Sequence, residues 1–490
     1  MSAHPTTPGD FVWQPSPDDI ENAHLTNFIH QHEIEDFDGL INRSTRDIAW
    51  FTEAILEYLK IEFYDPYQQV VDLSRGYAWP KWLVGAKMNI VHNCLDKYIG
   101  LSTEHRRALI WEGESGDTRA LTYKQLHQRV NQAANALRAL GLTKGDAIGL
   151  YMPMTPEIVI ALLAIAKIGG IILPLFSGFG SDALATRLND ADAKALFTAD
   201  GVYRRGKYVN MKAIADIASE HVPTLQHVIV LNHANTDVDI VPSRDHWWHE
   251  TILAQSDQAH TEVTSAEDTL MIIYTSGTTG PPKGAVHSHA GFPIKATQDM
   301  AFGTDVHQGD IVYWITDMGW MMGPWLVFGS LILGSTCFIY DGALDYPGPE
   351  RLWAMVERHK ITTLGVSPTL IRALIPHGEA PFRAHDLSSL RLFASTGEPW
   401  NPDPWLWLFE KVGESKRPII NYSGGTELSG GILMGNPLRP IKPCALSSPC
   451  PGIAADVFDD RHHLALHQLD ALLPEHVGNS NDFQESGEHG

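Results

Sequence analysis

The chain has 490 residues with 36 Lys and Arg against 58 Asp and Glu, a formal net charge of −22. With 44% apolar residues it can bury large cores, which excludes wholesale disorder. The negative charge disfavours a general role in coating nucleic acid, because phosphate binding depends on Lys and Arg. Four cysteines are too few for a disulfide scaffold in a chain of this length.

The first twenty residues lack the basic start and apolar stretch of a secretory leader. The most hydrophobic stretch, residues 158–176, is interrupted by Lys167, Gly169, Gly170 and Pro174. A membrane helix needs about 20 apolar residues without such breaks. We therefore expect a buried helix followed by a buried strand, no membrane span, and a cytoplasmic protein.

Predicted elements alternate along most of the chain. Residues 1–119 mix acidic, aromatic and helical stretches and are predicted to form an N-terminal helical cap. From residue 120 to about 460, helices alternate with short apolar strands, which favours a mostly parallel sheet covered on both faces. The predicted helices include 121–141 and 155–170, and the predicted strands include 146–153, 171–176, 193–200, 227–232 and 270–274. Residues 461–490 lose this pattern and are predicted to be a disordered tail.

The most informative segment follows the apolar strand at residues 270–274. It reads TSGTTGPPKG, and such small residues let successive backbone N–H groups approach a phosphate closely. It is not a Walker P-loop, because Lys283 follows Pro282 and precedes Gly284 instead of Ser or Thr.

These residues resemble the signature loop of the AMP-forming adenylating enzymes, which include the acyl- and acetyl-CoA synthetases. Further segments match in order: YWITDMGWMMG, STGEPWNP and NYSGGTE, and NIVHNCLDKY in the cap resembles the acetyl-CoA synthetase branch. The resemblance implies an α/β fold of stacked, mostly parallel sheets flanked by helices, with an N-terminal cap. It also implies a ligase that converts a carboxylic acid to acyl-AMP with release of pyrophosphate and then transfers the acyl group to CoA.

The resemblance implies a role for each matched residue. Lys283, Thr426 and Glu427 are expected to be catalytic, with Glu427 holding Mg²⁺, a cation that prefers carboxylate oxygen. The residues expected to bind ATP are Thr275, Ser276, Gly277, Thr278, Thr279, Gly280, Lys283, Gly397, Glu398, Pro399, Asn421, Tyr422, Ser423, Gly424, Gly425 and Thr426. Gly178, Arg204, Arg205 and Lys207 are expected to contact CoA, although a basic cluster on a loop is as often simply solvated.

The acid pocket departs from the acetate-specific pattern. Acetate-specific relatives place a Trp two residues before the Thr of the Thr-Glu motif, where this chain has Gly424. Losing an indole is expected to leave room for several methylenes, each worth about 0.8 kcal/mol on burial. We therefore expect an acid longer or bulkier than acetate. The remaining pocket walls are assigned to Trp320, Met321, Met322 and Thr396, and the two methionines are equally compatible with ordinary core positions.

The end of the chain also departs from the pattern of the family. The family continues past residue 460 to a small C-terminal lid whose lysine stabilises the adenylation transition state, and nothing in residues 461–490 resembles it. The sequence therefore predicts a truncated chain with impaired activity, because the lid excludes water and presents CoA. Two alternatives stay open: an inactive nucleotide- or acyl-binding remnant, and an adenylating enzyme that serves a carrier protein instead of CoA.

Overall fold

The computed structural model describes residues 10–275, 282–456 and 458. The helices are α1 Pro17–Glu21, α2 His24–Gln31, α3 Phe37–Arg46, α4 Ile48–Tyr58, α5 Ile90–Cys94, α6 Tyr123–Ala139, α7 Pro156–Lys167, α8 Ser181–Asp190, α9 Met211–Ser219, α10 Trp248–Thr251, α11 Phe292–Phe302, α12 Met322–Ile332, α13 Arg351–His359, α14 Pro368–Leu374, α15 Ala380–Arg383 and α16 Pro402–Leu406. Short 3₁₀ turns lie at Asp96–Tyr98, Ser102–His105, Ile375–His377 and Thr426–Leu428, and a π-helical turn at Trp407–Val412.

The strands within the described residues are β1 Gln69–Asp72, β2 Lys81–Val84, β3 Lys87–Met88, β4 Arg107–Gly113, β5 Thr118–Thr122, β6 Ala147–Leu150, β7 Ile171–Pro174, β8 Ala195–Ala199, β9 Val202–Arg204, β10 Lys207–Val209, β11 His227–Leu231, β12 Asp245–Trp247, β13 Thr264–Ser265, β14 Thr269–Thr275, β15 Lys283–Ser288, β16 Ile311–Trp314, β17 Thr336–Asp341, β18 Thr363–Val366, β19 Leu392–Ser395, β20 Ile419–Gly425, β21 Gly430–Met434 and β22 Ser448–Pro449.

Two large sheets form the body of the fold. The first has the strand order β12-β11-β8-β6-β7-β14-β15, parallel except for the β14–β15 pair. The second has the order β22-β21-β20-β19-β18-β16-β17-β4-β5, parallel from β20 to β4 and antiparallel at both edges. The predicted α/β fold of mostly parallel sheets flanked by helices is confirmed.

Local sequence explains why these elements form. Strands β6, β8, β16, β18 and β19 are buried throughout, as continuous apolar strands of a doubly covered sheet must be. Helix α6 begins with a capping box in which Thr122 and Gln125 satisfy each other's backbone N–H groups. Helix α7 is almost wholly buried, with contacts to β6 and β7 of the first sheet and to β4 of the second, so it lies between the two sheets.

The N-terminal region contacts the segment before β16 and the segment between β21 and β22 of the second sheet. Trp13 forms a bridge with Ile441, and the backbone N–H of His24 donates to Asp305 at 2.8 Å. Strands β4 and β5 already belong to the second sheet, so the boundary predicted at 119/120 falls inside β5. Among the described residues, no helix is both long and apolar enough to cross a membrane, and the stretch 158–176 is the helix and strand expected. The predicted tail, residues 461–490, lies outside the described part of the chain.

Candidate active site

A cleft of about 930 Å³ opens where parallel strands of the two sheets end. Its walls come from the segments that follow β7, β16, β17, β18, β19 and β20, and from the β9–β10 hairpin. Ligands of open α/β sheets bind outside the carboxyl ends of the strands, so the fold itself selects this cleft. The predicted site residues that line it are Gly178, Arg204, Arg205, Trp320, Met321, Met322, Thr396, Gly397, Gly424, Gly425 and Thr426.

The predicted phosphate-binding segment connects β14 to β15. Thr275 ends the buried β14 and faces Lys283, the first residue of β15, and the Thr275 hydroxyl donates to the Lys283 carbonyl at 3.5 Å. Lys283 is exposed, so its ammonium group is available to an anion. Ser276, Gly277, Thr278, Thr279 and Gly280 lie outside the described residues.

The predicted metal-binding turn lies beside this strand pair. The 3₁₀ turn Thr426–Leu428 follows β20 and contacts β15. Glu427 is exposed and forms no hydrogen bond or ion pair within residues 10–275 and 282–456, which leaves its carboxylate available to a hard cation. The turn ends at Ser429, which has a left-handed φ of 66° and whose hydroxyl lies 2.9 Å from Nδ1 of the buried His287 on β15.

A buried carboxylate on α11 anchors the β20–β21 hairpin that carries this turn. Asp299 accepts hydrogen bonds from the Tyr422 hydroxyl at 2.9 Å and the Gly431 N–H at 2.8 Å, and it pairs with Lys295 at 2.5 Å. The Tyr422 ring packs against Trp314 and Trp325. This hydrogen bond and the indole contacts hold the Tyr422 ring in the core, so an adenine contact at this position would involve the backbone of Tyr422.

The predicted adenine turn follows β19. Gly397 has φ 99°, in the left-handed region that favours glycine. Glu398 points to α14, where it accepts from the Thr369 N–H at 2.8 Å and pairs with Arg372 at 2.5 Å. Hydrogen bonding from Thr369 and then pairing with Arg372 lower the pKa of Glu398. These contacts tie the turn to α14, and Glu398 is not among the residues that line the cleft.

The other residues of these two motifs lie at the edge of the site. Pro399 and Ser423 are exposed and outside the cleft lining. Asn421 is buried, and its amide donates to the Ala445 carbonyl at 2.8 Å. The Thr396 hydroxyl donates to the Tyr422 carbonyl at 2.6 Å, which fixes the end of β19 to β20 next to the cleft.

The predicted acid-pocket residues are brought together on one wall. Trp320 is 48% exposed, and its ring lies 5.4 Å from that of Phe176. Met321 is half-buried and Met322, the first residue of α12, is buried, so both contribute to the core and to the wall.

Gly424 also lies on this wall, next to the backbone of β21. A Cβ at residue 424 would overlap the Gly430 carbonyl oxygen and lie 2.8 Å from the Gly431 Cα. The backbone of β21 therefore occupies the space where a side chain would begin, and additional room for an acid can lie only on the cleft side.

The predicted CoA-binding residues Arg204, Arg205 and Lys207 lie in different surroundings. Arg204 lines the cleft and forms no ion pair within the described residues. Arg205 pairs with Asp345 at 2.7 Å, and the resulting hydrogen bonds raise its pKa further. Lys207 starts β10, is exposed and lies outside the cleft lining. The hairpin turn is held by Glu114, which accepts from the Arg205 and Gly206 N–H groups.

Sequence reasoning gave no role to Asp317, which the structure places on the cleft wall. Its carboxylate accepts from the Ser177 hydroxyl at 2.6 Å and the Gly319 N–H at 2.8 Å. Enclosure by protein raises its pKa, against the opposing effect of these hydrogen bonds and of Arg204. Its position inside the motif YWITDMGWMMG is the sequence feature that could have identified it as a site residue.

Comparison with known proteins identifies the family to which this fold and cleft belong. The profile of the family described as AMP-binding enzyme matches residues 101–468, and that of the acetyl-coenzyme A synthetase N-terminus matches residues 37–94. The chain belongs to the AMP-binding enzyme family. The resemblance expected from the motifs, including the acetyl-CoA-synthetase-like cap, is confirmed.

The individual relatives are named as acetyl- and acetoacetyl-CoA synthetases. The acetyl-coenzyme A synthetase of Rhodopirellula baltica is 40% identical over 429 residues, which cover 85% of this chain and 63% of the relative. That of Gemmatimonas aurantiaca is 41% identical over 390 residues, with coverages of 77% and 59%. The solved acetoacetyl-CoA synthetase from Streptomyces lividans superposes with a TM-score of 0.86 at 28% identity and covers 93% of this chain and 71% of its own. The chain thus spans about three-fifths of the length of these curated relatives.

Proposed function

We propose that the protein is an AMP-forming acid–CoA ligase: it activates a carboxylic acid with ATP, releases pyrophosphate, and transfers the acyl group to CoA. The observation that carries this proposal is the convergence, in one cleft, of the segments after β7, β16, β19 and β20 with the β9–β10 hairpin. A ligase of this type must bring two anions together, which requires donors and cations at one place.

In this proposal the residues that line the cleft and the segments beside it have distinct tasks. Lys283 and the segment before it bind the β- and γ-phosphates, while Thr426 contacts the α-phosphate. The free carboxylate of Glu427 holds Mg²⁺, which supplies charge neutralisation on the phosphates when it is bound. The Gly397–Pro399 turn and the backbone of residues 421–425 receive the adenine, and Arg204 receives a phosphate of CoA.

We further propose that the acid is longer or bulkier than acetate. The acid wall combines Trp320, Met321 and Met322 with Thr396 and Gly424 around an open cleft, and no side chain at residue 424 projects into it. The similarity to an acetoacetyl-CoA synthetase is compatible with such an acid. A cytoplasmic location stays a prediction from the sequence.

The test is pyrophosphate release from ATP and Mg²⁺ with a panel of C2 to C10 acids, with and without CoA. We expect acid-dependent release, formation of the acyl-CoA, and a preference for an acid larger than acetate. Saturable ATP binding without pyrophosphate release would instead support a binding remnant. Acyl-AMP formation with transfer to a carrier protein but not to CoA would support the carrier-dependent alternative.

A further inference from the structure

Two loops, one from each large sheet, meet at a single carboxylate beside the cleft. Residues 176–178 follow β7 of the first sheet, and residues 317–320 follow β16 of the second. We call these two segments the inter-sheet junction. Asp317 Oδ2 accepts from the Ser177 hydroxyl at 2.6 Å, and Oδ1 accepts from the backbone N–H groups of Gly319 at 2.8 Å and Ser177 at 3.3 Å.

Close packing fixes the relative position of the two loops. A Cβ at Gly319 would overlap the backbone N and Cα of Phe176, so the two main chains are in direct contact. The Phe176 ring lies 5.4 Å from the Trp320 ring at an interplanar angle of 46°. A shift of either loop would alter this contact and the hydrogen bonds of Asp317.

The junction joins two predicted subsites. Gly178 lies next to Ser177 on the expected CoA side, and Trp320 and Met321 lie next to Gly319 on the acid side. Ser177, Gly178, Asp317, Trp320 and Met321 line the same cleft, as does Arg204, whose positive charge acts on the Asp317 carboxylate. A hydrogen bond to a buried charged group is worth about 1.5–3 kcal/mol, enough to hold a loop in one conformation.

We propose that Asp317 is a positioning residue, which fixes the Ser177–Gly178 loop against the acid wall so that the CoA thiol is directed at the acyl carbonyl carbon. This inference rests on the proposed function and assigns to Asp317 a role in thiol delivery. In the proposed function, adenylate formation also depends on the phosphate-binding segment, the Thr426–Leu428 turn and the adenine turn. Within the described part of the chain, the hydrogen bonds of Asp317 come from Ser177 and Gly319.

The experiment compares the two half-reactions in the full chain. ATP–pyrophosphate exchange reports acyl-AMP formation, and single-turnover reaction of acyl-AMP with CoA reports thiol transfer. For Asp317→Asn and Ser177→Ala we expect CoA-dependent transfer to fall about tenfold or more, with a higher KM for CoA, because charge-assisted hydrogen bonds are lost. Pyrophosphate exchange, measured at a saturating concentration of the acid because the junction also carries the acid wall, should change less than about threefold.

Two further variants serve as controls. Ser177→Thr keeps the hydroxyl donor and should restore most of the transfer rate, which general loosening of the fold would not allow. Glu220→Gln, at an exposed position at the end of α9, should leave both half-reactions unchanged. Equal losses in both half-reactions, or full CoA-dependent transfer by Asp317→Asn, would overturn the inference.

A binding measurement keeps this test separate from the proposed function. If the wild-type chain exchanges no pyrophosphate with any acid, the proposed activity fails, and equilibrium binding of CoA and of ATP then decides the role of Asp317. Weaker CoA binding by Asp317→Asn with unchanged ATP binding supports the positioning role. Equal binding of CoA by both proteins, or no binding of CoA by the wild type, overturns it.

Discussion

Gly424 lies so close to Gly430 that a Cβ at residue 424 would overlap the Gly430 carbonyl oxygen. The contact occurs where the β20–β21 register shifts between Ser423 and Gly424, a local bulge in the hairpin. The Thr426–Leu428 turn connects the two strands of this hairpin. The conformation of the predicted metal-binding turn therefore depends on glycine at residue 424.

This contact predicts that any side chain at Gly424 is harmful. Gly424→Ala should destabilise the protein by about 1–3 kcal/mol, because β21 must move to accept the methyl group. Gly424→Trp should lose activity and should not produce an acetate-specific enzyme. Thermal unfolding and pyrophosphate release with the acid panel measure both effects.

The control for this prediction is Gly180→Ala. A Cβ there meets no atom within 4 Å, so it should be tolerated. Wild-type stability of Gly424→Ala, or a tight preference of Gly424→Trp for acetate, would contradict the steric argument.

Glu427 is predicted to affect activity without affecting stability. Its side chain is exposed and makes no contact that supports the fold within the described ranges, so Glu427→Gln should change stability by less than about 0.5 kcal/mol. Loss of the carboxylate should raise the Mg²⁺ concentration required for half-maximal pyrophosphate release about tenfold or more. Titration of MgCl₂ with Glu427→Gln, and with exposed Glu410→Gln as the control, checks this. An unchanged Mg²⁺ requirement would remove Glu427 from the metal site.

The main layers of the fold could be predicted because their strands are buried on both faces. Strands β6, β7, β8 and β11 are short apolar runs, and each of them follows a helix. The β1–β2 and β9–β10 hairpins escaped prediction because their strands are short and partly exposed, so their sequences lack a distinctive pattern.

Only parts of the sequence motifs lie on the cleft wall. Resemblance identified Thr396, Gly397 and Gly425, which line the cleft. It could not show that Tyr422 turns into the core or that Gly424 contacts Gly430, because both depend on contacts with distant parts of the chain. Long-range backbone proximity leaves no local signature in a sequence.

The two adjacent arginines of the β9–β10 hairpin, Arg204 and Arg205, are predicted to have unequal roles. Arg205 is already neutralised by Asp345, whereas Arg204 lines the cleft without an ion-pair partner among the described residues. Arg204→Gln should weaken CoA binding about tenfold and reduce its dependence on salt, since a charge-assisted contact is lost. Arg205→Gln, the matched control, should change affinity less than about threefold. Calorimetric titration at two ionic strengths distinguishes them, and equal losses would contradict the division of the cluster.

Met321 is predicted to limit the size of the acid. It is half-buried on the cleft wall next to Trp320, so Met321→Ala should open space there without emptying the core. The optimum of the acid panel should shift to chains longer by one to three carbons, because each additional buried methylene contributes about 0.8 kcal/mol. Met318→Ala is the comparison at a fully buried position, where stability should fall without this shift. An unchanged chain-length profile of Met321→Ala would show that the acid does not contact Met321.

Two buried histidines on and after β15 predict a loss of stability in mild acid. Burial lowers the pKa of His287 to about 4 and that of His289 to about 3, both from 6.5. Each ring is neutral in the folded protein but binds a proton in the unfolded chain below pH 6.5, so the free energy of unfolding decreases as the pH falls from 6.5 towards 4. Between pH 7 and 5 each histidine should contribute a loss of about 2 kcal/mol. Urea unfolding at both pH values should show that His289→Gln loses less unfolding free energy between pH 7 and 5 than the wild type does. Exposed His249→Gln is the control and should lose as much as the wild type. An equal loss for His289→Gln would mean that His289 does not remain neutral in the fold.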